Sequence, residues 1–168
     1  MAGKDKDMPV KKYLTDSVED TYAFGERLGE LLGPGDILAL QGGLGAGKTS
    51  LVHGIARGLG IQTAVSSPTF TLLFEHQDSL RNIGLYHFDA YRLNNIFEWY
   101  DAGFMEYFDA GGVCVIEWAD RIKDVLPDRT IWLNIALDGD SLDRRIFTLQ
   151  VPSPEFDFDR LQEWAVGA

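Results

Sequence analysis

The sequence predicts an α/β domain in three layers, a mixed central sheet flanked by helices. Strand-like and helical stretches alternate along the chain, and the continuous apolar tetrad Ile37, Leu38, Ala39, Leu40 runs into a glycine-rich loop followed by an amphipathic helix. A pair of strand-like runs joined by a short polar stretch adds an antiparallel hairpin to that pattern. A length of 168 residues, 45% hydrophobic and 24% charged, suits one domain with one sizeable core. No internal repeat, low-complexity tract or interdomain linker interrupts it.

The first twelve residues, MAGKDKDMPVKK, mix charges without the apolar stretch of a signal peptide and are expected to fray. Asp16 and Ser17 are both good helix N-caps, with Glu19 and Asp20 three residues after each. Phe24, Leu28, Leu31 and Leu32 follow at helical spacing, so a helix is predicted as far as Gly33-Pro34-Gly35. The apolar tetrad is a strand buried on both faces, stopped by the glycines from Gly42 onward. Leu51, Val52, Ile55, Ala56 and Leu59 share one face of the next helix, which Gly60 ends. Residues 70–77 and 83–89 form the hairpin, with the turn over Asp78, Ser79, Leu80, Arg81 and Asn82. A short helix over 96–102 and a second buried strand over 113–116 come next. Two strands over 130–137 and 144–151 are joined by Asp138, Gly139 and Asp140, and a final amphipathic helix over about 158–166 packs on the domain.

The formal net charge is -11, from 26 acids against 15 Lys and Arg. Such a surface disfavours direct binding to DNA or RNA, because that affinity comes mostly from cations neutralising phosphates. The excess is uneven: residues 1–73 hold 8 acids and 7 bases, and residues 74–168 hold 18 and 8, giving -1 and -10. Most of those acids are expected on a solvated face, and some could meet a basic partner. The single cysteine, Cys114, lies between Val113 and Val115, where a small buried hydrophobe is expected. With no disulfide framework and no apolar run of membrane length, a soluble cytoplasmic protein is expected.

Gly42, Gly43, Leu44, Gly45, Ala46, Gly47, Lys48, Thr49 fits G-x-x-x-x-G-K-[ST], the phosphate-binding loop or P-loop. Its place between a strand and a helix is the context that motif requires, and it makes the domain P-loop NTPase-like. The glycines let successive backbone N–H groups and the positive end of the following helix face a triphosphate. Lys48 would neutralise the β and γ phosphates, Thr49 would offer its hydroxyl to Mg²⁺, and Ser50 completes the segment. The plain alternative is a glycine-rich turn beside a solvated lysine.

Such a loop needs an acid at the end of a neighbouring strand to hold the metal. Glu117 ends the apolar run 113–116 and is favoured, because an apolar strand belongs beside the loop strand. Asp89 ends the hairpin and would hold a metal-bound water or orient the attacking one; its alternative is a pairing with Arg92. His87, on the same face as Asp89 in an extended segment, serves either hydrogen bonding at the strand or catalysis. Trp118 is either a core aromatic or a stacking surface near the nucleotide.

Four blocks in order complete a signature: Leu44-Gly45-Ala46-Gly47-Lys48-Thr49, Ser67-Pro68-Thr69-Phe70, His87-Phe88-Asp89-Ala90-Tyr91-Arg92-Leu93, and Ile116-Glu117-Trp118-Ala119-Asp120 followed by Leu126-Pro127. On these blocks the chain resembles, over roughly residues 17–151, the TsaE family of small ATPases required for tRNA threonylcarbamoyladenosine synthesis. The resemblance implies an ATP-binding protein with weak, Mg²⁺-dependent hydrolysis that docks on TsaB and TsaD subunits and meets tRNA only through them. It implies metal roles for Thr49 and Glu117, a functional Asp89 and Trp118, and a switch-like loop at Ser67 and Thr69. It also places Thr21, in the first helix, near the base. Gly43 stands where members of the family commonly carry Asp or Glu. Two other readings compete: a small-molecule kinase, for which the scattered Arg81, Arg92, Arg121 and Arg129 offer no basic lid, and a nucleotide-dependent interaction module with negligible hydrolysis.

Overall fold

The computed structural model describes residues 8–43, 45–63 and 72–167. Its strands are β1 (Val10–Thr15), β2 (Ile37–Gln41), β3 (Leu73–His76), β4 (Leu85–Asp89), β5 (Val113–Glu117), β6 (Ile131–Leu137) and β7 (Arg145–Gln150). Its α-helices are α1 (Val18–Leu31), α2 (Lys48–Gly58) and α3 (Ile96–Asp101). The seven strands make one sheet in the order β1-β7-β6-β2-β5-β4-β3. The four inner strands β6, β2, β5 and β4 run parallel, and the remaining pairings are antiparallel. The three-layer mixed α/β fold is therefore as expected, and the apolar β5 does lie directly beside the loop strand β2.

Side-chain alternation along the parallel strands separates two cores. Leu38, Leu40, Val113, Val115 and Leu133 face α1 and α2, where Phe24, Leu28, Leu51 and Ile55 meet them. Ile37, Ala39, Cys114, Ile116 and Phe88 face the other way, onto Trp99, Phe104 and Phe108. Cys114 is buried as expected, and burial pushes its thiol up to about 12, which removes it from nucleophilic chemistry.

The structure corrects the reading of both ends. Val10, Lys11 and Lys12, expected to fray, belong to β1, which pairs with β7 from Val10 opposite Gln150 to Thr15 opposite Arg145. The strand escapes pattern reading because it is an edge with its first three residues exposed and only Tyr13 and Thr15 fully buried. The last helix is a 3-10 helix, Phe158–Trp164, and not an amphipathic α-helix. Its two buried anchors, Leu161 and Trp164, stand three residues apart, which matches the three-residue turn. Trp164 meets the Phe24 ring edge-on and donates from Nε1 to Asp20 Oδ1 at 2.8 Å. Two further 3-10 helices, Phe104–Asp109 and Ala119–Val125, were not foreseen and close the second core. Of the hairpin, Leu73–His76 pairs antiparallel with Leu85–Phe88, and the expected strand residues 70–71 lie outside the described residues.

The choice between the two caps of α1 falls to Ser17, whose side chain accepts from Asp20 N at 3.0 Å, while Asp20 Oδ2 accepts from Asp16 N. The helix then crosses α2 through glycines at four-residue spacing, Gly25 and Gly29 on one side and Gly54 and Gly58 on the other. A Cβ on Gly25 would stand 2.5 Å from the Leu51 carbonyl oxygen, and one on Gly54 would overlap the Tyr22 carbonyl. Backbone touches backbone there, which fixes where the α2 N-terminus sits. The C-terminal ends of both helices share one cation: Arg81 donates to the carbonyls of Gly29 (2.9 Å), Gly58 (3.2 Å) and Leu32 (2.9 Å).

Gly54→Ala is expected to destabilise the fold by about 2 kcal/mol in urea titration, against the gain of about 1 kcal/mol that alanine gives in an open helix. Gly33→Ala, where a Cβ meets nothing within 4 Å, should be near neutral. Arg81→Met is expected to cost about 1 kcal/mol after solvent screening, read in the same titration.

Candidate functional site

The loop after β2 and the carboxyl ends of β5 and β4 open into one cleft, at the edge of the sheet where ligands bind in such folds. Its volume is about 480 Å³, and its walls include Gly45, Ala46, Gly47, Lys48, Thr49, Ser50, Asp89, Tyr91, Arg92, Glu117, Trp118 and Arg145. Most of the predicted site thus comes together. Gly47 is the N-cap of α2 with a φ of 98°, a left-handed conformation that glycine adopts without strain.

Lys48, the first residue of α2, is only 8% exposed. Its Nζ donates to the carbonyl oxygens of Gly42 at 2.6 Å and Gly43 at 3.2 Å, and stands 3.9 Å from the centroid of the Trp118 ring. Burial lowers the Lys48 pKa, and the nearby carboxylates of Glu117, Asp89 and Asp120 oppose that shift. The ammonium therefore rests on carbonyl dipoles and an aromatic face within reach of the acids.

Strand register brings the acids side by side. β4 and β5 are parallel with Asp89 opposite Glu117, and alternation turns both, with His87, toward the face that carries α2. His87 Nε2 donates to Glu117 Oε2 at 2.7 Å, with His87 1% and Glu117 6% exposed. His87 thus contacts the Glu117 carboxylate, and the His87 Nδ1 has no hydrogen-bond partner among the described residues. Asp89 Oδ1 accepts from Tyr91 N at 2.9 Å, and desolvation raises its pKa, only partly offset by that bond and increased further by Glu117. Among the described residues no group of three or more His, Cys, Asp or Glu could hold a metal ion. One or two carboxylates beside a hydroxyl is what Mg²⁺ requires when phosphate oxygens and waters complete its shell, so Thr49, Glu117 and Asp89 fit that ion.

Trp118 takes a left-handed φ of 58° immediately after β5, rare for a bulky residue, and its ring lies against Tyr91 with centroids 4.9 Å apart. Trp118 is half-buried and has a part in both readings: it packs against the second core and lines the cleft. Thr21 does not line this cleft: it is buried and hydrogen-bonded through its hydroxyl to Thr15 at 2.7 Å, while Val18 is the α1 residue in the lining. Leu44, Ser67 and Thr69 lie outside the described residues. Val18 and Arg145 are cleft residues that sequence reasoning missed; Arg145 stands 99 positions from its loop partner Ala46 with no local motif around it.

Comparison with known proteins agrees with this architecture. The family model described as threonylcarbamoyl adenosine biosynthesis protein TsaE matches residues 15–146. The tRNA threonylcarbamoyladenosine biosynthesis protein TsaE of Treponema pallidum is 44% identical over 124 residues, covering 74% of this chain and 90% of its own. That of Bacillus subtilis is 42% identical over 141 residues, covering 84% and 87%. The crystal structure of Bacillus subtilis YdiB superposes with a TM-score of 0.74 at 35% identity over 93% of each chain. With the loop, the paired acids and the strand order all accounted for, the chain belongs to the TsaE family of threonylcarbamoyl adenosine biosynthesis proteins.

Proposed function

We propose that this chain is a cytoplasmic, Mg²⁺-dependent ATP-binding protein with weak ATPase activity. In this reading it supports tRNA N6-threonylcarbamoyladenosine modification by docking on TsaB and TsaD type subunits, and tRNA is reached only through them. The observation that carries the proposal is the position of Lys48 Nζ, 2.6 Å from the Gly42 carbonyl at the start of α2 and beside the neighbouring strand ends that bear Asp89 and Glu117. A cation, a helix N-terminus and two carboxylates converging on one cleft suit a phosphate chain with its metal ion.

In this reading Lys48 exchanges its carbonyl partners for β and γ phosphate oxygens. Thr49 and Glu117 hold the metal ion, which when bound shields the charge developing on the transferring phosphoryl group. His87 keeps the Glu117 carboxylate turned to the cleft, and Asp89 orients the attacking water. Trp118 closes the cleft beside Lys48. Weak hydrolysis is supported by the cations: Arg145 is turned to loop carbonyls, and Arg121 donates to the Leu93 carbonyl and lies over the Tyr91 ring. Arg92 also lines the cleft, and in this reading a partner that adds or reorients a cation there stabilises the transition state. The acid excess of -10 in residues 74–168 suits a protein partner better than bare tRNA. No helix among the described residues is long and apolar enough to cross a membrane.

Lys48→Ala is expected to weaken ATP binding by about 10- to 100-fold in calorimetric titration, the loss of a charge-assisted contact; unchanged affinity would remove the site assignment. Glu117→Ala should reduce Mg²⁺-dependent hydrolysis by at least about tenfold while ATP affinity changes less. Equal hydrolysis in that variant would transfer the metal role to Asp89. Hydrolysis measured alone, with the TsaB and TsaD subunits, and with a panel of small phosphoryl acceptors tests the whole reading. Stimulation by the subunits without acceptor use is the expected result, and phosphoryl transfer to a small molecule overturns it.

A further inference from the structure

Arg145 opens β7 and is 9% exposed, yet none of the ion pairs among the described residues involves it. A guanidinium withdrawn from water without a carboxylate is costly unless other groups compensate. Here the compensation is four backbone carbonyls. Nε donates to Ala46 O at 2.8 Å, Nη2 reaches Gly45 O at 3.5 Å, and Nη1 donates to Leu142 O at 2.7 Å and Arg144 O at 3.2 Å. Two of the four belong to the loop before α2 and two to the segment leading into β7, so one planar fork ties the loop to the start of β7.

The direction of these bonds matters for anion binding. In a trans peptide the C=O and the following N–H point opposite ways, so drawing the Ala46 carbonyl onto Arg145 turns the Gly47 N–H away from it. The fit is close: a Cβ on Gly47 would stand 3.3 Å from Arg145 Nε. Glycine at this position therefore serves both the left-handed backbone and the approach of the guanidinium. The charge itself lies on the wall of the cleft that also carries Asp89 and Glu117, with no carboxylate in ion-pair distance among the described residues.

We propose that Arg145 is a positioning residue that holds the phosphate loop in its anion-receptive form before any ligand arrives, and that a polyphosphate in the cleft answers its charge. This rests on the nucleotide-binding reading above. An unbraced loop populates the receptive form only part of the time, and apparent affinity falls by that fraction.

The test uses the full chain, with calorimetric affinities for Mg²⁺-ATP and for inorganic tripolyphosphate, and thermal unfolding alongside. Arg145→Met is expected to weaken both ligands by a similar factor of about 10 to 100. Arg145→Lys keeps the charge and one donor but not the fork, and should recover at least about threefold of that loss. A folded Arg145→Met that binds both ligands within about twofold of the unsubstituted chain overturns the proposal, as does a loss confined to ATP, because the loop addresses phosphates alone. If Arg145→Met does not fold, Arg145→Lys decides: a loss of at least about threefold for both ligands supports the brace, and unchanged affinities overturn it. Lys48→Ala separates the two readings. If the unsubstituted chain binds neither ligand, the nucleotide reading fails together with this one; if it binds both and Lys48→Ala weakens them while Arg145→Met does not, only the brace fails.

Discussion

The rest of the molecule depends on a backbone-to-backbone crossing. Gly25 and Gly29 of α1 press against Gly54 and Gly58 of α2 so closely that any Cβ would collide with a carbonyl of the other helix. Each interior glycine costs about 1 kcal/mol of helix stability relative to alanine, so four of them are a serious loss unless the approach itself returns it. The return comes from continuous van der Waals contact and from the position the crossing forces on α2. Its N-terminus is held at the end of β2, where the loop glycines and Lys48 meet the strand ends that carry the acids.

Around that fixed point the sheet supplies charge by register alone. Parallel pairing sets Asp89 opposite Glu117, and alternation points both to the α2 face with His87 between Glu117 and the core. Desolvation, with the Glu117 charge beside it, raises the Asp89 pKa above the ordinary carboxylate range. Lys48 opposes that tendency from across the cleft, and the acids in turn oppose its own desolvation. In the proposed function, anionic oxygens and a divalent cation would answer these opposed charges. The charges are also divided along the chain: the near-neutral residues 1–73 hold the loop, and the excess acids lie in residues 74–168.

Much of this was legible in the sequence. The loop motif needs no tertiary information, because the spacing of its glycines and Lys48 is itself the device. The apolar run 113–116 ending in Glu117 identified a buried strand beside β2, since only a strand covered on both faces dispenses with polar alternation. Helix caps at Ser17 and Gly60 were local signals and held. The edge strand β1 was not legible because Lys11 and Lys12 break its pattern, and the last helix was misjudged because anchors spaced by three also fit one face of an α-helix.

By itself, then, the sequence determined much of what depends on short-range spacing: the fold class, the phosphate loop, the order of most elements and the acids that end two strands. Only the tertiary structure decided what depends on segments far apart in the chain. It set His87 against Glu117, buried Thr21 against Thr15 and left Val18 at the cleft, and turned Trp118 over Lys48. It also brought Arg145 to the loop across 99 positions. Such contacts leave no period or motif, because a hydrogen bond between distant segments constrains two residues and nothing in between.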